Sequence, residues 1–305
     1  MTSQPLSSGA LQALTTEAID PRYGDLDLLT TAQMVSAMNN AEAEVPRAVK
    51  RVIPEITAAV DAISSGLARG GRLIYVGAGT PGRLGVLDAS ECPPTFSTPP
   101  EMVHGIIAGG KEALTAAIEG VEDDFEAGFN EIMALNVTES DTVVGITASG
   151  RTPFVIGAIA AATARGATTA GISCNHGAEL STHVSHPIEV VVGPEVLTGS
   201  TRLKAGSAQK QVLNMLSTLS MVRIGKTYGN LMVDVSATNL KLEIRAHNLV
   251  VRITGVTPER AAAALTASGG DVKTAIVCVV RDLDPETARE LLAANAGNLR
   301  SVIEN

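Results

Sequence analysis

Five short apolar segments, Arg72–Val76, Met102–Ile107, Thr142–Ile146, Thr169–Ser173 and Ile188–Val192, are spaced along this chain with helix-patterned stretches between them. That alternation constrains the fold more than any other feature. The helical stretches fall at Gly110–Glu119, Pro153–Arg165 and Ser200–Arg223. Strands separated by ten or more helical residues form parallel βαβ units with right-handed crossovers. The expectation is an α/β fold whose open, mainly parallel sheet is covered by helices on both faces, a three-layer sandwich. Ligands bind such sheets beyond the C-terminal strand ends, where loops lead into helix N-termini.

The flanks read differently. The first 20 residues are polar and expected to be mobile. From Thr31 to Leu67, apolar residues recur at three- and four-residue spacing, and Pro46 and Pro54 divide the stretch into two helices. Around Gly229–Arg245 the polarity becomes mixed. Beyond Gly255, Thr257-Pro258 and Asp284-Pro285 each read as an N-cap followed by proline at the first helical position. Three short helices from Pro258 to Glu304 are expected there. The division is thus a helical N-terminal arm (1–55), an α/β domain (56–228), a connecting segment (229–256) and a C-terminal three-helix bundle (257–305).

Composition narrows the partners. The net charge is −9, and aromatic residues are 2% of the chain with no Trp. A nucleic-acid partner is not expected, because binding one relies on a basic face and stacking rings. The three cysteines, Cys92, Cys174 and Cys278, form no CxxC pair, which suits a reducing compartment. His183 and His186 are spaced like a metal pair, but they lack further ligands and read as a polar loop before a strand. The N-terminus has no signal-peptide pattern, and apolar runs are too short to span a membrane. A cytoplasmic protein without a membrane partner is expected.

Three loops carry chemistry. Gly77-Ala-Gly-Thr-Pro-Gly82 follows a strand and matches GxGxxG, yet no acid stands at the end of the next strand to take a ribose, so a dinucleotide site is not expected. Its glycines let backbone amides close on a small anion. In Thr147-Ala-Ser-Gly-Arg-Thr-Pro153, Thr152 is placed as N-cap, with Ser149 and Gly150 at the ligand edge. In Thr198-Gly-Ser-Thr-Arg-Leu-Lys204, hydroxyls precede a long helix whose first turn carries Lys204. A cation there opposes the helix dipole, and a bound phosphate would account for it. Each loop alone could be ordinary N-capping. Together they point to phosphate recognition, with Gly79, Thr80, Gly82, Arg83, Ser149, Gly150, Thr152, Ser200, Thr201 and Lys204 as candidate contacts. Two acidic stretches complete the pattern: Asp88-Ala-Ser-Glu91-Cys-Pro-Pro, with Glu91 at a helix end, and Glu119-Gly-Val-Glu122-Asp-Asp. Two carboxylates in unlike surroundings can divide acid and base work.

At these residues the chain resembles the N-acetylmuramic acid 6-phosphate etherases, enzymes built on the sugar isomerase (SIS) domain. The resemblance rests on Gly71–Thr80, Gly82–Phe96, Ile107–Gly110, Glu119–Asp123, Ala148–Pro153, Gly171–Asn175, Lys204–Gly206 and Gly229–Asn239, and extends to Thr16-Glu17. One departure is Pro81, where the family carries serine; it removes one hydroxyl and one amide donor. The resemblance implies a small phosphorylated amino sugar as substrate, release of D-lactate from its carbon-3 ether, a homodimer with the site at the subunit boundary, and no metal or organic cofactor. It further implies Glu91 as proton donor, partly buried and protonated near neutrality, and Glu122 as base at carbon 2. Two other readings share the loops. A non-catalytic regulator that binds sugar phosphate would need neither glutamate, and an SIS-fold isomerase would release no lactate.

Overall fold

The computed structural model describes residues 14–234 and 240–304. Its centre is a five-stranded parallel sheet in the order β2-β1-β3-β4-β5. The strands are β1 (Leu73–Gly77), β2 (Val103–Ile107), β3 (Thr142–Ile146), β4 (Thr168–Ser173) and β5 (His186–Glu189). Every residue of β1 and β3 is buried, which is why these segments read as continuous apolar runs rather than alternating ones. The first four strands lie within a residue of their expected bounds. The fifth starts and ends earlier than expected, because β4 stops at Ser173, which pairs with Glu189. Val190 donates one last bond to the Ser173 carbonyl, and the ladder ends.

The chain leaves β1 for one edge of the sheet, then returns past it to build β3, β4 and β5 on the other side. With right-handed crossovers, that reversal puts connecting helices on both faces and opens a crevice between the loops after β1 and β3. The helices before β5 are α1 (Thr31–Glu42), α2 (Val45–Arg51), α3 (Ile53–Ala68), α4 (Gly79–Phe96), α5 (Phe125–Ala134) and α6 (Pro153–Ala164). Helix α6 is the most buried, with Phe154, Val155, Ala158, Ile159, Ala161 and Ala162 at or near zero exposure. Fully burying each of its larger side chains contributes roughly 1.5–3 kcal/mol.

Several expectations are corrected. The 31–67 stretch forms three helices rather than two, because Pro46 and Pro54 start helices. At those positions the missing N–H costs no ladder bond. The helix that carries Glu91 does not end there: α4 runs on through Pro93 and Pro94 to Phe96. They lie in its final turns, where their fixed φ suits the helix, and Ser97 closes it with φ +48° and an N–H bond to the Pro93 carbonyl. Residues 110–119 form only a short 3-10 turn, Gly110–Leu114, because Gly109, Gly110 and Gly120 are all left-handed. Helix α5 was not anticipated. Residues 14–20 are ordered and partly buried rather than mobile, with Leu14, Thr16 and Asp20 inside.

Among the described residues the contacts form two compact units, one within 1–90 and 102–217, the other within 91–101 and 218–305. Beyond α7 (Lys204–Arg223) come the two-stranded β6 (Thr227–Tyr228) and β7 (Leu231–Met232), then α8 (Leu240–Thr254), α9 (Pro258–Ala267), α10 (Val272–Arg281), α11 (Pro285–Ala294) and α12 (Leu299–Ile303). Four helices therefore lie beyond Gly255 instead of three, since Asn298 caps an extra short one. Helix α8 joins the same core through Ala246, Leu249 and Val250. Residues 235–239 of the 229–239 motif lie outside the described residues. Among the described residues, no single helix is long and apolar enough to cross a membrane.

Candidate active site

Glycine at 77 and 82 lets the end of β1 and the first turn of α4 touch backbone to backbone. A Cβ on Gly82 would lie 2.7 Å from the Gly77 carbonyl oxygen, and one on Gly77 would lie 2.6 Å from the Gly82 nitrogen. Between them Gly79 turns the chain with φ +57°. Pro81 sits in the first helical turn, so its missing N–H costs the helix no bond.

Gly79, Arg83, Ala108, Glu119, Gly120 and Glu122 face a cleft of about 170 Å³. Arg83 is half-buried at the wall of this cleft. Its guanidinium donates to the carbonyls of Leu114 at 3.2 Å and Ala116 at 2.8 Å, tying down the segment that leads into Glu122. Glu122 is exposed in a 3-10 turn, Val121–Asp123. Thr80 lines a different cleft, about 400 Å³, with Arg202, Gly206, Ser207 and Lys210.

The loop after β3 is wired by its own hydroxyls. Thr147 Oγ1 lies 2.7 Å from Thr152 Oγ1 and 3.3 Å from Ser149 Oγ, and it accepts the Gly150 N–H. Thr152 is the N-cap residue of α6 but makes no side-chain cap bond, because its hydroxyl is engaged with Thr147. Gly150 adopts φ +78°, and a Cβ there would lie 2.4 Å from that of Ala178. The small, left-handed residue thus lets the β3 and β4 loops meet.

At the end of the loop before α7, Lys204 is bonded within the chain. The side chain of Lys204 is 1% exposed, and its ammonium donates to the Val192 carbonyl at 2.9 Å and to Glu44 at 3.3 Å. The first amides of α7, on Lys204 and Ala205, donate to the buried carboxyl of Glu195. Burial pushes that carboxyl upward, although those amides and the Lys204 charge work against the shift. Glu44 ends up below the usual range: burial raises it, but Arg22 and Lys204 outweigh burial. A lysine at this helix start is therefore balanced within the chain. Ser200 and Thr201 remain half-exposed in the turn above it.

Comparison with known proteins settles the family. The chain is 56% identical to N-acetylmuramic acid 6-phosphate etherase of Rubrobacter xylanophilus, over 96% of this chain and 97% of the relative. It is 54% and 53% identical to the etherases so named from Streptomyces coelicolor and Streptomyces avermitilis, each over 96% of this chain and 94% of the relative. The chain belongs to the N-acetylmuramic acid 6-phosphate etherase family. Within it, residues 53–163 match the family described as glucokinase regulatory protein N-terminal SIS domain, and residues 124–219 match the SIS domain.

Etherase membership sharpens the inventory of the site. The structure brings Gly79, Arg83 and Glu122 to one cleft, and joins Ser149, Gly150 and Thr152 through Thr147. It places Thr80 in the second cleft and Lys204 in the interior. Glu91 lies in the second compact unit. It is exposed, and α4 continues five residues beyond it, so the expected burial at a helix end is not found in this chain. Asp88, one turn earlier, is the anchor: it accepts from Tyr75 Oη at 2.9 Å and from Asn214 Nδ2 at 2.6 Å. Residue patterns did not single out Thr147, Glu44 or Glu195. Thr147 and Glu195 act on residues nearby in the chain, whereas Glu44 meets Lys204 across 160 positions.

Proposed function

We propose that this chain cleaves the D-lactyl ether of N-acetylmuramic acid 6-phosphate, giving N-acetylglucosamine 6-phosphate and D-lactate. The observation that carries this reading is identity above one half, along nearly the whole chain, to relatives bearing that enzyme's name. The chemistry fits a pair of carboxyls. In the ring-opened sugar, carbon 2 lies beside the aldehyde, so a base can take its proton. An acid protonates the lactyl oxygen as the carbon 3–oxygen bond breaks, leaving an unsaturated aldehyde and free lactate. Water then adds across the double bond, its oxygen to carbon 3 and a proton to carbon 2.

Glu122 is assigned as the base and Glu91 as the acid. Ser149, Gly150 and Thr152 lie on the loop after β3, and Gly79 and Gly82 in the first turn of α4 after β1, at the C-terminal strand ends where phosphate is to be held; Ser200 and Thr201 belong to the turn before α7. Lys204 holds the Val192 carbonyl after β5, and Arg83 holds the segment that leads into Glu122. The cleft at Glu122 is smaller than the roughly 300–1,000 Å³ of ordinary ligand pockets. That supports a substrate site completed by a second copy of the chain, with Glu91 exposed and available to it. The phosphorylated substrate and the odd cysteine count support a place in the cytoplasm.

The test is incubation of the purified protein with the 6-phosphorylated muramic sugar while D-lactate is measured. Absence of lactate would leave only sugar-phosphate binding. With Glu91→Gln, lactate release is lost while carbon-2 proton exchange of the product in heavy water continues. Release at near wild-type rate would remove Glu91 from its role.

A further inference from the structure

The N-terminal segment is bonded to the loops that this reading assigns to phosphate. Asn175, 2% exposed and two residues past β4, uses both ends of its amide. Its oxygen accepts the Thr16 N–H at 3.3 Å. Its nitrogen donates to Thr16 Oγ1 at 3.0 Å, to the Ala148 carbonyl at 3.0 Å and, more weakly, to the Ser149 carbonyl at 3.4 Å. Thr16 is itself 1% exposed. Next to it, Glu17 lies against the third loop, where a Cβ on Gly199 would be 3.4 Å from Glu17 Oε2. Farther along, Arg22 joins Asp20 to Glu44, and Glu44 holds Lys204 at the start of α7. One short segment therefore reaches the loops after β3, β4 and β5.

We infer that Thr16 and Asn175 are positioning residues for substrate binding: the Thr16–Asn175 clasp fixes the Ala148–Ser149 carbonyls, and so aims the Ser149 hydroxyl at the sugar phosphate. The inference rests on the proposed etherase reading of this loop and deepens it. Asparagine suits the task because one side chain both accepts and donates. Aspartate would keep the bond from the Thr16 N–H but turn an acceptor toward two carbonyls. Threonine supplies the hydroxyl that shares the same amide nitrogen.

The experiment compares Thr16→Val, Thr16→Ser, Asn175→Asp and Ser149→Ala by D-lactate release, with thermal unfolding as the check on folding. Thr16→Val and Asn175→Asp raise KM about tenfold, the loss of one or two hydrogen bonds, while kcat stays within about threefold. Thr16→Ser, which keeps the hydroxyl, restores KM. If Asn175→Asp fails to fold, the Thr16 pair alone carries the comparison. A normal KM in Thr16→Val beside a raised KM in Ser149→Ala overturns the clasp and leaves the phosphate loop standing. A normal KM in Ser149→Ala as well overturns both. A fall in kcat and melting temperature with KM unmoved assigns the clasp to stability alone and also overturns the inference.

Discussion

Replacing Lys204 with alanine separates a structural cation from a ligand-binding one. The side chain is 1% exposed and its ammonium lies between the Val192 carbonyl and Glu44. Alanine removes three buried methylenes, worth about 0.8 kcal/mol each, and leaves a buried carbonyl without its donor, about 1–3 kcal/mol. Glu44 keeps Arg22 and is one-third exposed, so its own loss is small. Relief from burying an ammonium offsets part of the sum, leaving a net loss of about 3 kcal/mol. For a unit of this size that lowers the melting temperature by roughly 6–12 °C. Lys204→Met keeps the apolar stem and should fall about half as far. Thermal unfolding followed by circular dichroism reads the shift, and lactate release below the transition reads KM, expected within about threefold of wild type. An unchanged melting temperature with a KM raised about a hundredfold would refute this reasoning, showing that the ammonium leaves Glu44 to hold phosphate.

Two further predictions follow from named contacts. Arg83→Met frees the Leu114 and Ala116 carbonyls and lets the Glu122 segment shift, so kcat/KM should fall about ten- to a hundredfold with little change in melting temperature; unaltered lactate release would count against the positioning role. Asp141 is buried and holds Arg72 and the Thr138 amide. Burial raises its carboxyl, but the Arg72 hydrogen bonds and the backbone amides outweigh burial and hold it below the usual range. Its contribution is therefore present above about pH 4 and fades as pH falls through the folded-state value. Asp141→Asn should melt below wild type by a constant margin from pH 5 to 8, about 2 kcal/mol, and the margin should shrink below pH 4; a margin independent of acid would remove the ion pair as its source.

How much of this protein could be read from its residues depends on the range of the forces involved. The strands of the sheet domain and the helices α6 and α7 were legible, because continuous apolar runs and three- and four-residue spacings are local consequences of burial on one or both faces; α5 was not. The loops after β1 and β3 were legible too, since glycine, hydroxyl and proline choices answer to the backbone at that point. Misread elements had locally ambiguous signals: Pro46 and Pro54 start helices, Pro93 and Pro94 sit inside one, and Gly110–Glu119 fails to become one.

The sequence by itself determined a parallel α/β sheet, its glycine- and hydroxyl-rich loops and the etherase pattern, because backbone preference and side-chain burial act over a few residues. Tertiary structure alone decided what each charged or hydroxyl group does. Lys204 looked poised for a ligand until Glu44, 160 positions away, was brought beside it. Arg83, at the cleft that holds Glu122, also meets the carbonyls of Leu114 and Ala116, 31 and 33 positions away. Thr16 acquired a role only by meeting Asn175 across 159 positions. A charge or a hydrogen bond is satisfied by whatever the fold brings within about 3 Å, and no local pattern specifies that neighbour.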